Sequence, residues 1–153
     1  MPALRRDGVE RDTDGPPEMG RFESLLYSDA GGLTQFGLMV ETLHPGARSS
    51  NAHWHEEEDE IAYVLSGEVT LVEDGEAATL RPGDAAAWKA GSGVAHHLEN
   101  RSGEPASYVI VGTRAADDVV HYPGRDELYT KRGGVGSRTR RDGSPLEQGA
   151  EPS

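Results

Sequence analysis

Short runs of alternating apolar and polar residues, separated by turn signals, fill the middle of the chain. In TQFGLMVETL (34–43) the alternation places Phe36, Leu38 and Val40 on one face of a strand. Turns rich in Gly, Pro and Asp separate this run from those that follow it. Further strands of the same character are predicted in IAYVLSG (61–67), EVTLVEDG (68–75), AAAW (85–88), HHLEN (96–100) and SYVIVGT (107–113).

This pattern predicts the fold class and the extent of the folded domain. No segment of useful length repeats its apolar residues at the helical period, so we expect less than about a tenth of the ordered body to be helical. Many short strands at this spacing predict an all-β barrel of two antiparallel sheets. The polar composition of residues 1–20 predicts a flexible arm, and that of 131–153 a flexible tail. The domain is then expected over 21–130.

The composition limits the classes of partner and of metal ligand. The 153 residues carry a formal net charge of −12, which excludes nucleic acid or an anionic membrane as the main partner. The chain has no cysteine, so any metal has to be held by nitrogen and oxygen atoms. The N-terminal residues are polar and no apolar run reaches membrane-spanning length, so we expect a cytoplasmic protein.

Candidate chemistry is concentrated in HWHEEEDE (53–60). His53 and His55 are two residues apart, a spacing that places both side chains on one face of a strand and suits chelation. Glu60 lies at an odd offset from His55, so one continuous strand would turn its side chain the other way. Because the acidic run is poor strand material, we expect a bend there, after which Glu60 begins a new strand and points inward.

The second half of the candidate site is GVAHHLEN (93–100). Strand alternation places His96 and Asn100 on one face and His97 on the other. The second face carries a charged residue and is expected to meet solvent, so His96 is the better inward ligand. His53, His55, Glu60 and His96 would then form a site with three nitrogen donors and one oxygen donor.

Less specific interpretations stay open for these residues. The acidic stretch alone is typical of a solvated loop with incidental histidines, and only the second histidine pair favours a metal site. His97 is the alternative to His96, and Asp59 is the alternative to Glu60 if the bend differs. Asn100 is a candidate to orient a ligand from outside the first shell. Such a donor set suits one divalent ion of iron, zinc, manganese or nickel.

At these motifs the chain resembles a small single-domain bacterial cupin, from a subgroup whose members mostly lack an assigned activity. The first cupin motif is matched by Gly46, His53-Trp54-His55, Glu60 and Gly67, and the second by Gly83-Asp84, His96 and Asn100. WKAGSGVAHH departs from the second motif because it is longer and has Lys89 where proline is usual. The resemblance covers about residues 30–125. It implies a double-stranded β-helix, the jelly-roll barrel, with a metal at the motif histidines and glutamate.

The resemblance also implies a range of activities on a small-molecule substrate. A cupin site leaves positions free for substrate or oxygen, so iron would favour a dioxygenase and zinc a Lewis-acid reaction. Glu60 could also leave the metal and act as a catalytic base. The leading hypothesis is a metal-dependent enzyme, with a dioxygenase reaction if the metal is iron. The alternatives are a sugar isomerase or epimerase, and a non-catalytic module that binds a small molecule or a metal.

The alternation after Glu60 predicts how the protein assembles. If Glu60 points inward, Ala62 and Val64 do too, and Ile61, Tyr63 and Leu65 point outward. Both faces of this strand are apolar, although one should meet solvent in an isolated barrel. Either the chain's own terminal segments, such as FESLLY (22–27), or a second subunit has to cover the outer face. We favour a homodimer, which cupins commonly form through sheet contacts.

Overall fold

The computed structural model describes residues 3–146, and β-strands dominate this range. Its α-helix spans Tyr27–Ala30, and two short 3-10 helices span Arg6–Gly8 and Pro17–Met19. None of these helices has the length and apolar character needed to cross a membrane. The strands are β1 (Arg11–Asp12), β2 (Phe22–Leu26), β3 (Phe36–Leu43), β4 (Trp54–His55), β5 (Glu60–Ser66), β6 (Val69–Glu73), β7 (Glu76–Leu80), β8 (Ala85–Trp88), β9 (His96–Glu99), β10 (Ala106–Thr113), β11 (Asp118–His121), β12 (Leu128–Arg132) and β13 (Val135–Thr139).

The strands pair into three antiparallel sheets. The largest has the order β1-β2-β3-β10-β5-β8, and the smaller ones have the orders β13-β12-β11-β4 and β7-β6-β9. Backbone bonds link the smaller sheets, from His53 N to His96 O at 3.2 Å and from His96 N to His53 O at 3.0 Å. The predicted all-β class is confirmed. In place of the expected second sheet, the protein has two smaller sheets that are joined by this backbone bridge.

The apolar core lies between the large sheet and the three-stranded sheet. Leu43 and Val64 of the first pack with Val69 and Leu98 of the second, and each is at most 2% exposed. Gly67 closes the turn between β5 and β6 with a φ of 73°. A Cβ at Gly67 would lie 2.6 Å from the carbonyl oxygen of Pro105, so no other residue fits here without a shift of the backbone.

The two faces of β5 differ in exposure as the alternation predicts. Ala62 and Val64 are each 1% exposed, so they point into the core. Ile61, Tyr63 and Leu65 are 45%, 48% and 46% exposed on the opposite face. FESLLY does not cover them, because it forms β2 and pairs edge to edge with β3 in the same sheet. The outer face of β5 therefore stays open in the part of the chain that is described.

Both ends of the described chain differ from the flexible segments suggested by composition. Before residue 21, β1 pairs with β2, and Val9 and Met19 are buried at 7% and 4% exposure. After residue 131, β12 continues and pairs with β13. These strands extend the sheets through backbone hydrogen bonds, which do not require an apolar sequence. The last seven residues of the expected tail, 147–153, lie outside the described residues.

Candidate metal centre

Two neighbouring strands and the start of a third position the candidate ligands. His53 and His55 flank Trp54 at β4, which pairs with β11 on one side. The backbone bridge on the other side brings His96, the first residue of β9, next to His53. The acidic run after His55 leaves the strand, and β5 begins at Glu60, as the expected bend requires. Glu60 points inward with Ala62, so all four side chains face one another.

The Nε2 atoms of the three histidines converge on one carboxylate oxygen of Glu60. Glu60 Oε1 lies 3.6 Å from Nε2 of His53, 3.2 Å from Nε2 of His55 and 3.1 Å from Nε2 of His96. Ligand atoms about 2.1 Å from a common metal ion are about 3.0–3.4 Å from one another in octahedral or tetrahedral sites. The separations to His55 and His96 fall in that range, and the separation to His53 is slightly longer. His53, Glu60 and His96 form one group of potential metal ligands whose donor atoms lie within 4.8 Å of one another, and His55 Nε2 lies beside the same Glu60 oxygen.

Hydrogen bonds to Nδ1, the ring nitrogen that points away from Glu60, fix the orientation of each histidine ring. His53 Nδ1 lies 2.9 Å from the carbonyl oxygen of Asn51, and His96 Nδ1 lies 3.1 Å from that of Val94. His55 Nδ1 lies 2.7 Å from Asp118 Oδ2. Because a carbonyl oxygen or carboxylate only accepts, each Nδ1 donates, and Nε2 is the ring nitrogen that faces the shared centre. Metal-binding histidines in proteins are held in this way.

The electrostatics of the metal-free centre are those of a site that attracts a cation. Burial disfavours the charged ring of His55, but hydrogen bonds to Asp118 and Glu60 outweigh it and raise its pKa to about 10. Burial acts against ionisation of Glu60, yet hydrogen bonds from the three histidines lower its pKa below the usual value. His55 lies between the carboxyl groups of Asp118 and Glu60. A divalent ion would replace the proton on its Nε2.

A second group of potential ligands lies behind His55. Glu58 Oε1 is 3.5 Å from His55 Nδ1, and Asp118 also contacts that nitrogen. Lys131 Nζ donates to Glu58 Oε2 at 2.6 Å, and the backbone N–H of Glu57 donates to Asp118 Oδ1 at 2.9 Å. Both carboxylates are thus already bonded to donors. We interpret this group as the support of His55 rather than as a second metal site.

The remaining candidates from the sequence lie away from the centre. His97 Nε2 contacts Glu99 Oε1 at 2.8 Å on the other face of β9. Asp59 Oδ1 accepts from the backbone N–H of Ala90 at 2.8 Å. The expectation that Asn100 supports a ligand is wrong, because its side-chain amide donates to the carbonyl oxygens of Leu43 and Glu104 and supports a turn.

We expect His97→Ala to leave the metal content of the protein unchanged, because its ring contacts Glu99 and not Glu60. The measurement is the ratio of metal to chain by mass spectrometry of the purified, dialysed protein. The matched comparison is His96→Ala, which removes an Nε2 that lies 3.1 Å from Glu60 Oε1. If the His97 variant lost its metal and the His96 variant kept it, the assignment within the pair would be reversed.

The candidate centre opens into a cavity of about 490 Å³. Trp88 stacks on His96 inside it, with ring centroids 3.8 Å apart and planes 4° apart. Tyr122, which is 2% exposed, lies beside His53 with ring centroids 6.0 Å apart. Glu41 of β3 also lines the cavity. A small molecule in this space would meet both the histidine cluster and the inner face of the large sheet.

Sequence reasoning missed Asp118 behind His55, and Tyr122 and Glu41 in the cavity. In DVVH (118–121) the alternation places Asp118 on the same face as Val120, and both residues are buried. A charged residue on an apolar face was therefore the signal by which Asp118 could have been found. Glu41 shares a face of β3 with Met39 and Leu43 in the same way. The partner of Asp118 could not be identified, because His55 lies 63 residues earlier and the pairing depends on the fold.

Comparisons with known proteins agree with this geometry. Residues 39–112 match the family model described as the cupin domain. The chain is similar to a crystallised sugar phosphate isomerase of the cupin superfamily from Silicibacter pomeroyi. The two share 38% identity over 95% of this chain and 97% of that chain, with a TM-score of 0.87. No curated protein matches the sequence significantly.

Two further solved structures share the fold. A protein with the provisional name sugar phosphate isomerase from Acidithiobacillus ferrooxidans is 24% identical over 96% of this chain and 97% of its own, with a TM-score of 0.81. A predicted oxalate decarboxylase from Thermotoga maritima is 25% identical over 74% of this chain and 99% of its own, with a TM-score of 0.60. Different activities are thus attributed to proteins with this fold.

Proposed function

Because this chain belongs to the cupin superfamily, we propose that it is a metal-dependent enzyme that isomerises a small sugar-like molecule. The observation that carries the proposal is the convergence of His53, His55 and His96 on Glu60 Oε1, at 3.1–3.6 Å, inside a cavity. The choice of reaction is supported by the sugar phosphate isomerase from Silicibacter pomeroyi, which is similar over nearly the whole chain.

The proposed metal ligands are His53, His55, Glu60 and His96, and one divalent ion of iron, zinc, manganese or nickel is their proposed occupant. Bound there, the ion would supply Lewis acidity to a carbonyl or hydroxyl oxygen of the substrate. Asp118 holds the His55 ring, and Trp88 stacks on His96. These contacts hold the rings in place while a substrate exchanges with water.

Glu60 is also the proposed catalytic base, a role in which it would leave the metal. An aldose–ketose isomerisation moves one hydrogen between neighbouring carbon atoms and one proton between their oxygen atoms, and it needs no external oxidant, so a carboxylate in the cavity is suited to it. Glu60 is the carboxylate nearest to all three histidines. Its side chain is 14% exposed, which keeps most water away from the oxygen that would accept the proton.

The test is metal analysis of untagged protein followed by activity assays on the same sample. We expect one divalent ion per chain. We also expect aldoses and ketoses, with and without phosphate, to be interconverted in proton NMR spectra by loaded but not by chelator-treated protein. Restoring the metal should restore the activity. Iron with substrate-dependent oxygen uptake would instead support a dioxygenase. Ligand binding without any turnover would support the non-catalytic module.

The proposal extends to location and assembly. We propose a cytoplasmic enzyme that works as a homodimer on a small-molecule substrate. The dimer is supported by the exposed side chains of Ile61, Tyr63 and Leu65, an apolar row on an otherwise well-packed sheet.

A further inference from the structure

Two buried hydroxyl groups in the cavity have unused hydrogen-bonding capacity. Ser24 of β2 and Tyr122 are 3% and 2% exposed, and both line the cavity. Within residues 3–146, the Tyr122 hydroxyl reaches no partner, and the Ser24 Oγ faces only the neighbouring carboxyl group of Glu41. Buried polar groups in proteins are almost always bonded, so the unpaired Tyr122 hydroxyl in this cavity indicates a polar ligand.

A carboxyl group lies next to one of these hydroxyls. Glu41 is the cross-strand partner of Ser24. The hydroxyl of Tyr108, which is fully buried, donates to Glu41 Oε1 at 2.7 Å and orients the carboxyl group. Burial raises the pKa of Glu41 in spite of this hydrogen bond. A carboxyl group of this kind serves a neutral hydroxyl well, because it accepts when ionised and donates when protonated.

The charges on the side of the cavity that is formed by Glu41 are unsuited to an anion. Asp12 and Asp14 line its side together with Glu41, and within the described residues none of the three has a Lys or Arg nitrogen within 4 Å. Arg114 is the arginine of the lining, and no lysine belongs to it. Its guanidinium already donates to Asp29 Oδ1 at 2.6 Å and to the carbonyl oxygen of Leu33 at 3.1 Å. A phosphate group on this side would meet three carboxyl groups, and the guanidinium of the lining is already engaged by Asp29 and Leu33.

We propose that the cavity binds an uncharged, polyhydroxylated molecule whose hydroxyl groups are held by Ser24, Glu41 and Tyr122. The proposal rests on the proposed function for the histidine end of the site, where the reacting oxygens would lie. Phe22 and Met39 add an apolar wall beside Glu41. Such a mixture of hydroxyl-binding groups and apolar surface is suited to the two sides of a sugar carbon chain.

The test is equilibrium binding to metal-loaded, full-length protein by titration calorimetry. The probes are xylose, ribose, glucose and fructose, each beside its terminal monophosphate. We expect each neutral sugar that binds to have at least about a tenfold higher affinity than its own monophosphate. The carboxylates of the cavity would repel the added negative charge. Tighter binding of the phosphates, or binding of no neutral sugar, would overturn the proposal.

Variants test the named groups. Glu41→Gln keeps an acceptor for Tyr108, and we expect it to weaken binding of the neutral sugar by about threefold to tenfold with unchanged metal content. Glu76→Gln is the matched control, since Glu76 is exposed on β7 and does not line the cavity. Equal affinities in both variants and the parent protein would remove Glu41 from the binding site.

Binding and turnover separate this proposal from the proposed function. If neutral sugars bind in the expected order but are not interconverted, the isomerase proposal fails and the ligand class stands. If sugar phosphates bind more tightly and are interconverted, the isomerase proposal stands and the ligand class is wrong.

Discussion

The double variant His53→Ala/His55→Ala is expected to purify with less than about a tenth of the metal found in the parent protein. Two of the four groups around the centre are removed, and the remaining His96 and Glu60 cannot complete a coordination shell. Loss of one supporting contact to a metal-binding histidine already costs about 10–100-fold in affinity. Loss of two ligands should lower the affinity further, so dialysis against metal-free buffer should remove nearly all of the metal.

The fold should survive this change, because His53 and His55 contribute little to the apolar core. The backbone bridge between His53 and His96 uses main-chain atoms and does not depend on the imidazole ring. A circular dichroism spectrum with the β-sheet signature of the parent is the check. His121→Ala is the control, since His121 contacts Glu56 and stacks on Trp54 outside the centre. Full metal occupancy in the double variant would place the metal elsewhere.

The ligand positions could be predicted from the sequence because strand alternation is a local property. A spacing of two fixes His53 and His55 on one face without any knowledge of the partner strands. The same rule separates His96 from His97. The bend that brings Glu60 inward follows from a charged run that forms strands poorly, and β5 does begin at that residue.

The supporting residues could not be predicted because they depend on which strands meet. Asp118 reaches His55 only because β11 pairs with β4, and the register places Val120 opposite His55. Glu41 and Ser24 come together only through the pairing of β2 with β3. Periodicity indicates which face a residue occupies, but it carries no information on the neighbour across that face.

The strands that lie outside residues 21–130 could not be predicted for a related reason. Composition measures how much apolar surface a segment can bury, and the segments before residue 21 and after residue 131 have little. Strands β1, β12 and β13 join the sheets through backbone hydrogen bonds, which are independent of side-chain polarity. Much of β13 is exposed, as expected for an edge strand that lies over little core.

Tyr63→Glu is expected to convert a homodimer into a monomer. Tyr63 lies at the centre of an apolar surface on the outer face of the large sheet. This surface spans four neighbouring strands. Val109 of β10 is its cross-strand partner and is itself opposite Val40 of β3. The surface, which we call the outer apolar face, consists of Leu38, Val40, Ile61, Tyr63, Leu65, Ala85, Ala87, Val109 and Val111.

A second copy of this chain is the cover that we propose for the outer apolar face. The alternative from the sequence, FESLLY, is an internal strand of the sheet and leaves the face open. Contiguous apolar patches of this extent on soluble proteins mark interaction sites. A two-fold axis across the sheet would let the same side chains of two copies pack on each other.

The size of the effect follows from the chemistry of the interface. In a two-fold dimer each substitution introduces two carboxylates, and each loses water without gaining a partner. Burying an unpaired charge costs several kcal/mol, so the dissociation constant should rise by more than about a hundredfold.

At micromolar concentration, light scattering should give about twice 16.4 kDa for the parent protein and about 16.4 kDa for the variant. Val135→Glu is the control, since Val135 is apolar and 74% exposed but lies on β13, outside the outer apolar face. A monomeric parent protein would reject the dimer, and a dimeric Tyr63 variant would place the interface on another surface.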